Sequence, residues 1–343
     1  MIDKKYIIDA FSYLGEVMAS YCRNGKNSEI ENAVQLSISA NYWFTEENIR
    51  VALQSIADKM LDSRKLNDWL EKYSINLSDV KKIGLITAGN IPAVGFHDLL
   101  CIVVSGNIAT VKPSSKDKFL LKTLCDIVTA KFPLLKEYIV FEDINLENID
   151  ALIATGSNNS ARYFYAEYGK IHLLIRKNRY SMAVLDGFET KEELAALGED
   201  IFLYFGLGCR NVSNICIPAG YDFNLLLNVI NGYSNVMEHQ GYIDCFRYQK
   251  AVSTVLEETF IAGNSLILRK RPLSYSSIAV VNCMEYNSIE DVKQFIADNA
   301  EKIQCVAGHV NIDGIIAFGQ TQKPGLDDYA DGIDTVQFLN NII

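Results

Sequence analysis

The 343-residue chain has eight cysteines, but no two are spaced CxxC, and its four histidines (His97, His172, His239, His309) are scattered. That pattern argues against a structural zinc site. No charge-free apolar run approaches the ~20 residues that a membrane helix needs. The opening MIDKKYIIDAF lacks an apolar h-region and a small-residue cleavage site, so no secretory signal is expected. The reduced cytoplasm is then the expected setting, and disulfides are not. Basic charge is also short: 32 Lys and Arg against 42 Asp and Glu leave a net charge of −10. A nucleic-acid partner would call for a basic face, although the local cluster from Lys112 to Lys118 is free to hold a phosphate. The GxGxxG dinucleotide fingerprint, internal repeats, low-complexity tracts and Pro- or Ser-rich linkers are all missing.

What is present is a length suited to two domains and an ordinary globular balance of 49% hydrophobic and 22% charged residues. Residues 1–80 read as mainly helical. Thr45 is placed to cap EENIRVALQSIADKML, where Ile49, Leu53, Ile56, Ala57 and Met60 share one face. From Lys81 short apolar runs alternate with helical stretches. KIGLITAG (82–89), NIATVKP (107–113), YIVFED (138–143), DALIATG (150–156), KIHLLI (170–175) and SMAVLDG (181–187) read as strands, with crossover helices over 95–104, 116–131 and 158–168. Such alternation predicts an open, mostly parallel α/β sheet. A helix over 190–205 leads into a second αβ region, with strands NICIPA (214–219) and SIAVVN (277–282), helices over 223–235 and 289–300, and the apolar piece IIAF (315–318).

Ligands of parallel sheets bind outside the carboxyl ends of the strands, and three polar groups fall there. Asn90 follows the first strand, Lys112, Ser114 and Ser115 follow the second, and Thr155, Gly156 and Ser157 open a helix whose first amides would favour a phosphate. Taken alone, Gly156-Ser157 also reads as a plain turn with an N-cap, and Lys112 as a solvated lysine. The decapeptide FGLGCRNVSN (205–214) sets Cys209 just after two nearby glycines and before Arg210. On that string alone, a packed sulfur in a turn is the better reading, because free cysteine is among the most buried residue types.

The order of these pieces resembles the aldehyde dehydrogenase superfamily. Asn90-Ile91-Pro92 is similar to its Asn-aromatic-Pro turn, Val111-Lys112-Pro113-Ser114 to its Lys-Pro motif, and Thr155-Gly156-Ser157 to its Gly-Ser turn. Cys209 falls where the catalytic cysteine stands, and Phe318-Gly319-Gln320 resembles the late Phe-Gly-Gly segment. IRKNRYSMAVL (175–185), FGLGCRNVSNICIP (205–218) and FGQTQKPGLDDYADGIDTVQFL (318–339) are most similar to the LuxC-like acyl-CoA reductase branch. The resemblance runs from about residue 40 to 340. It implies an aldehyde-dehydrogenase-like fold: a helical N-terminal region with a Rossmann-type cofactor domain (1–176), a second α/β catalytic domain (177–326) and a C-terminal arm (327–343). A cleft between the domains and a homodimer completed by the arm are implied as well.

The same resemblance implies a nucleophilic Cys209, an oxyanion hole shared by the Asn90 amide and the Cys209 N–H, and a cofactor held by Lys112, Ser114, Ser115, Gly156 and Ser157. The expected reaction is reduction of an acyl-CoA, a fatty acyl-CoA being the expected substrate, to an aldehyde by NADPH, with NADH as the other cofactor considered. NADPH is favoured because Ser115 stands where NAD-selective relatives carry an acid, with Lys116 and Lys118 beside it and Asp117 as an opposing charge. Two departures from the family pattern stand out. Leu173 to Asn178 contains no carboxylate where oxidising members carry their water-activating glutamate, and no Glu-x-Phe-Gly-Pro segment is found around 274–281. A glutamate introduced at Leu174 would then restore some hydrolysis, provided that its side chain points toward the sulfur. His309 and His239 are candidate acids, although structural or surface roles fit each better. Tyr329, Asp327, Asp328, Asp331 and Asp334 read as a lock holding the tail against the catalytic domain. A cysteine acyltransferase or thioesterase without redox chemistry, or a non-catalytic relative, remains an alternative.

Overall fold

A computed structural model describes residues 2–75, 79–142, 146–156 and 158–342. The chain divides into two units, one made of Met1–Asn178 with Lys323–Ile343 and the other of Arg179–Gln322.

The first unit begins with four helices, α1 (Lys4–Asn24), α2 (Ser28–Ala40), α3 (Glu46–Met60) and α4 (Ser63–Leu70). Each N-cap side chain satisfies amides that the helix leaves without partners: Asp3 takes Tyr6 N, Asn27 takes Glu29 N and Ile30 N, Thr45 takes Asn48 N, and Asp62 takes Lys65 N. The apolar stripe foreseen on α3 is buried, from Ile49 through Met60. After the helices come β1 (Lys82–Ile86), α5 (Phe96–Val104), β2 (Ile108–Lys112), α6 (Leu120–Lys131), β3 (Ile139–Phe141), β4 (Ala151–Thr155), α7 (Asn158–Tyr168) and β5 (His172–Arg176). The strands pair in parallel in the order β3-β2-β1-β4-β5. The order reverses between β1 and β4, and that switch point is where an open α/β sheet leaves a crevice at its carboxyl edge.

In the second unit β6 (Tyr180–Val184), α8 (Lys191–Phe202), β7 (Val212–Pro218), α9 (Phe223–Ile230), α10 (Gln240–Val255), β8 (Phe260–Ala262), β9 (Ile267–Lys270), β10 (Val280–Tyr286), α11 (Ile289–Asp298) and β11 (Ile303–Gly308) build a sheet in the order β11-β6-β7-β10-β9-β8. All pairs are parallel except β8 with β9. The apolar piece over 315–318 meets the sheet through one isolated bridge, Ala307 to Ile316. The strand expected at 277–282 starts later, at Val280.

The C-terminal segment corrects an expectation. Tyr329, Asp327 and Asp334 bind residues of the first unit rather than of the unit that carries Cys209. Trp69 Nε1 donates to Tyr329 Oη at 2.9 Å, Tyr73 Oη donates to Asp334 at 2.8 Å, and Lys72 meets Asp327 at 2.6 Å. Helix α12 (Thr335–Asn340) packs on α5, and its Val336 and Leu339 join the core of the N-terminal helices. The cause is hydrophobic: α4 and α5 bury only part of their apolar surface without a covering element, and Leu326, Val336 and Leu339 supply one. Those side chains are therefore committed within this chain rather than presented to a neighbouring subunit.

Candidate active site

In the first unit three motif turns leave the carboxyl ends of adjacent strands. Ile86 pairs with Lys112 on one side and Ala154 on the other, so the turns after β2, β1 and β4 start at one level. Asn90 is exposed, Lys112 and Ser114 are half-buried, Ser115 is exposed, and Gly156 is half-buried with its N–H on Arg176 O at 3.1 Å. Ser157 lies outside the described residues.

The turns after β1 and β2 are locked together by groups that drew little notice in the sequence. Thr87 donates its N–H to Lys112 O at 3.2 Å, and its hydroxyl oxygen accepts Ser114 N–H at 3.2 Å. Gly89 is required here, because a Cβ on it would lie 2.7 Å from Ser114 Oγ. Asp117, read in the sequence as an opposing surface charge, is instead buried, and its Oδ2 accepts Ala93 N–H at 2.7 Å. Ala93 has φ 53°, so this bond holds a left-handed residue just past Asn90. With Asp117 turned inward, the exposed face of the loop presents Ser115, Lys116 and Lys118. Hydroxyls and ammonium groups on one loop suit an anionic phosphate.

Burial pushes the Asp117 carboxyl up to about 7, which the Ala93 N–H only partly counters. The unfolded carboxyl loses its proton near pH 4, so stability is full below that pH. It falls as pH rises towards 7 and is level above. The expected loss is on the order of 2 kcal/mol, because relaxation of a buried site recovers part of the ideal penalty. In Asp117→Asn that slope should vanish, leaving the variant at least as stable as the parent at pH 8. Urea titrations at pH 5 and pH 8 check it; an unchanged slope would refute the assignment.

The second unit holds Cys209. It is exposed, whereas the other seven cysteines are buried or half-buried. Helix α8 ends at Phe202, short of the expected boundary, and the chain reverses through Tyr204 (φ 54°), Phe205 (φ 57°) and Gly206 (φ 74°). Three successive left-handed residues are costly, about 1–2 kcal/mol for each with a Cβ. Burial offsets the cost: both aromatic rings are in the core, and Phe205 lies against the His239 ring with centroids 4.5 Å apart. Cys209 then occupies a turn closed by Asn211 N–H on Gly208 O at 3.0 Å, immediately before β7. The nucleophile candidate thus stands at the amino edge of its sheet, not at a carboxyl edge.

Beneath the turn is a buried polar cluster. Asn211, 2% exposed, accepts Gly208 N–H at 2.8 Å and donates to the carbonyls of Asp200 at 3.0 Å and Leu203 at 2.8 Å. The Asp200 carboxylate accepts N–H from Gly319 (2.7 Å) and Thr321 (3.1 Å) and the Thr321 hydroxyl (2.8 Å). Asp200 therefore ties the Phe318-Gly319-Gln320 segment to the same helix end that carries Cys209. One signal was available: Asp200 falls on the buried stripe of Leu194, Leu197 and Ile201, where a carboxylate must have partners.

His309 is already committed. One ring nitrogen lies 2.9 Å from Glu193 Oε1 and the other 3.0 Å from Asp186 Oδ1. The Glu193 hydrogen bond leads in raising its pKa, which favours an imidazolium clamp over a proton donor. Among the described residues, Asp186, Glu189 and His309 are the cluster with metal-ligating atoms within 4.8 Å of one another, and both imidazole nitrogens there already face carboxylates. Leu174 is 5% exposed in the first unit's core, so a glutamate there would be a buried charge and not a water-activating base. Among the described residues no helix is long and apolar enough to cross a membrane.

No protein-family model matches the chain, and no curated protein matches it by sequence. Solved structures do. Aldehyde dehydrogenase 21 from Physcomitrella patens, in complex with succinate, aligns with a TM-score of 0.67 at 11% identity, over 97% of this chain and 84% of that one. The propionaldehyde dehydrogenase of a Clostridium phytofermentans fucose utilisation microcompartment aligns with a TM-score of 0.62 at 9% identity, over 94% and 82%. That of Rhodopseudomonas palustris, with bound CoA and an acylated cysteine, gives a TM-score of 0.59 at 10% identity, over 91% and 80%. The chain has the aldehyde-dehydrogenase fold.

Proposed function

We propose that the protein is an acyl-CoA reductase that forms an aldehyde through a thioester on Cys209. The observation that carries the reading is that Cys209 alone of the eight cysteines is exposed, on a turn held from below by buried Asn211. A cysteine kept only for packing has no need of such a mounting. The Rhodopseudomonas palustris structure with its acylated cysteine has the same fold and supports acyl transfer as the chemistry.

In this reading the Cys209 thiolate attacks the acyl-CoA carbonyl carbon, the carbon–sulfur bond to CoA breaks, and CoA leaves as a thiolate. The Cys209 N–H and the Asn90 amide donate to the carbonyl oxygen as it becomes negative. NADPH, when bound, would supply the hydride for the thioester carbon. Collapse of the thiohemiacetal on Cys209 then releases the aldehyde and restores the thiolate. Lys112, Ser114, Ser115, Gly156 and Ser157 would hold the cofactor. Where oxidising relatives carry their water-activating glutamate, β5 ends in Arg176, which is buried against Asp98. The thioester therefore waits for hydride. The direct test is incubation with an acyl-CoA, a mass increment on Cys209, and aldehyde on adding NADPH. A chain that never acquires the increment refutes the reading.

NADPH is expected to be preferred over NADH. Ser115 removes the repulsion of a 2′-phosphate, Lys116 and Lys118 add attraction, and the buried Asp117 carboxylate does not face it. A ratio of kcat/KM on the order of tenfold corresponds to about 1.4 kcal/mol, a modest demand on one ammonium. Equal values, or a preference for NADH, would contradict it.

A further inference from the structure

We propose that Ser181 and Asn211 are positioning residues that aim the backbone N–H of Cys209, by fixing the peptide planes on both sides of the thiol. The proposal rests on the acyl-transfer reading of Cys209.

The geometry is a chain of three clamped peptide units. The Gly208 N–H donates to Asn211 Oδ1 at 2.8 Å, which fixes the unit before Gly208. The Gly208 carbonyl accepts Asn211 N–H at 3.0 Å. In a planar trans peptide the C=O and N–H point in opposite directions. With the Gly208 carbonyl turned onto Asn211, the Cys209 N–H must face away from the closing bond of the turn. The next unit is held from another element: Ser181 Oγ donates to the Cys209 carbonyl at 2.8 Å. Ser181 is completely buried on β6, a strand paired on both sides by β11 and β7, so its hydroxyl is a rigid anchor. The Cys305 thiol lies 3.1 Å from Ser181 Oγ, and donation from it leaves the serine proton for Cys209. Asn211 anchors the other end, its amide bonded to the Asp200 and Leu203 carbonyls at the close of α8.

Both torsions of Cys209 are thereby set by bonds to two buried residues, through the Asn211 backbone N–H on one side and the Ser181 hydroxyl on the other. Without the Ser181 bond, the unit after Cys209 loses its anchor on β6, and the N–H direction is less firmly maintained through acylation. The loss falls on a transition state that carries negative charge on oxygen, where one donor is worth ~10²–10³ in rate. A partly misaimed donor is expected to cost about tenfold or more. Alkylation of the same sulfur by iodoacetamide develops no oxyanion and has no use for that donor.

This contrast gives the experiment. Ser181→Ala, which removes the hydroxyl and leaves the strand filled, is compared with the parent in three assays: the p-nitrophenol burst from p-nitrophenyl acetate, iodoacetamide alkylation of Cys209 across pH, and the melting temperature. Expected are a burst slower by about tenfold or more, an unchanged alkylation profile and a nearly unchanged melting temperature. A burst within twofold of the parent overturns the proposal, and so does a parallel fall in burst and alkylation, which marks a merely structural serine. Acyl-CoA is run beside the ester. A parent chain that reacts with the ester and not with acyl-CoA sinks the acyl-CoA reading and leaves the Ser181 comparison standing. A parent with no burst from either sinks both.

Discussion

Cys209→Ala is expected to abolish both halves of the reaction. With the parent chain and no reductant, acyl-CoA should release CoA in an amount equal to enzyme and then stop. Added NADPH should convert the trapped acyl group to aldehyde in the same proportion. The variant should show neither phase, a loss of a thousandfold or more, as for other deleted nucleophiles. The size follows from the chemistry: the acyl group loses its acceptor, and oxyanion donors without a nucleophile recover only a small part of the rate. Cys216→Ala is the comparison, because Cys216 is fully buried on β7 and has no access to substrate. Rapid-quench measurement of CoA decides the matter. Continuous release of CoA and free acid by the parent without cofactor would replace the reductase with a thioesterase.

The first sheet was legible because parallel strands, buried on both faces, write short apolar runs separated by polar turns. All five runs from residue 82 to 176 became strands. The second unit was harder to read. Helix α10 carries Arg247, Gln249 and Lys250 among its apolar residues, and β8 has two exposed positions out of three, so neither announces itself by period. The strand β11 was missed because EKIQCVAGHV mixes polar and apolar residues at its start. Helix α8 was read too long for a different reason. Tyr204 and Phe205 keep an apolar pattern while the backbone turns left-handed, and a pattern of side chains is blind to the sign of φ.

The site divides in the same way. Cys209, Asn90 and Lys112 were visible as residue types at motif spacing. Ser181, Asp117, Asp200 and Asn211 were not, because each acts through a partner distant in sequence or through its own backbone. Asp117 shows the difficulty best. A lysine-flanked aspartate between Lys116 and Lys118 reads as a surface charge, and only the return of the chain at Ala93 gives it a reason to be buried.

Arg176 carries the largest expected effect on stability. It ends β5 with its side chain buried, and its guanidinium holds three partners: Asp98 at 2.8 Å, the Thr335 hydroxyl at 2.7 Å and the Ala330 carbonyl at 2.5 Å. One side chain thus joins β5, the first turn of α5 and the returning C-terminal segment. Arg176→Met keeps most of the volume and removes the charge, leaving the buried Asp98 carboxylate without its cation, with the Thr335 hydroxyl at 3.5 Å. Breaking a buried pair from one side costs about 3–5 kcal/mol, most of it the desolvation of the abandoned partner. The unfolding transition of the first unit should move to lower urea by that amount, read separately from the second unit, because a two-unit chain need not unfold in one step. The bond at Lys323 should also become more sensitive to trypsin, since the returning segment then loses its charged anchor on α5. The double variant Arg176→Met with Asp98→Leu should recover much of the loss, because two apolar side chains in contact leave no buried charge unpaired. If the single variant costs less than about 1 kcal/mol, the guanidinium is not what holds the returning segment, and the apolar contacts of Val336 and Leu339 suffice.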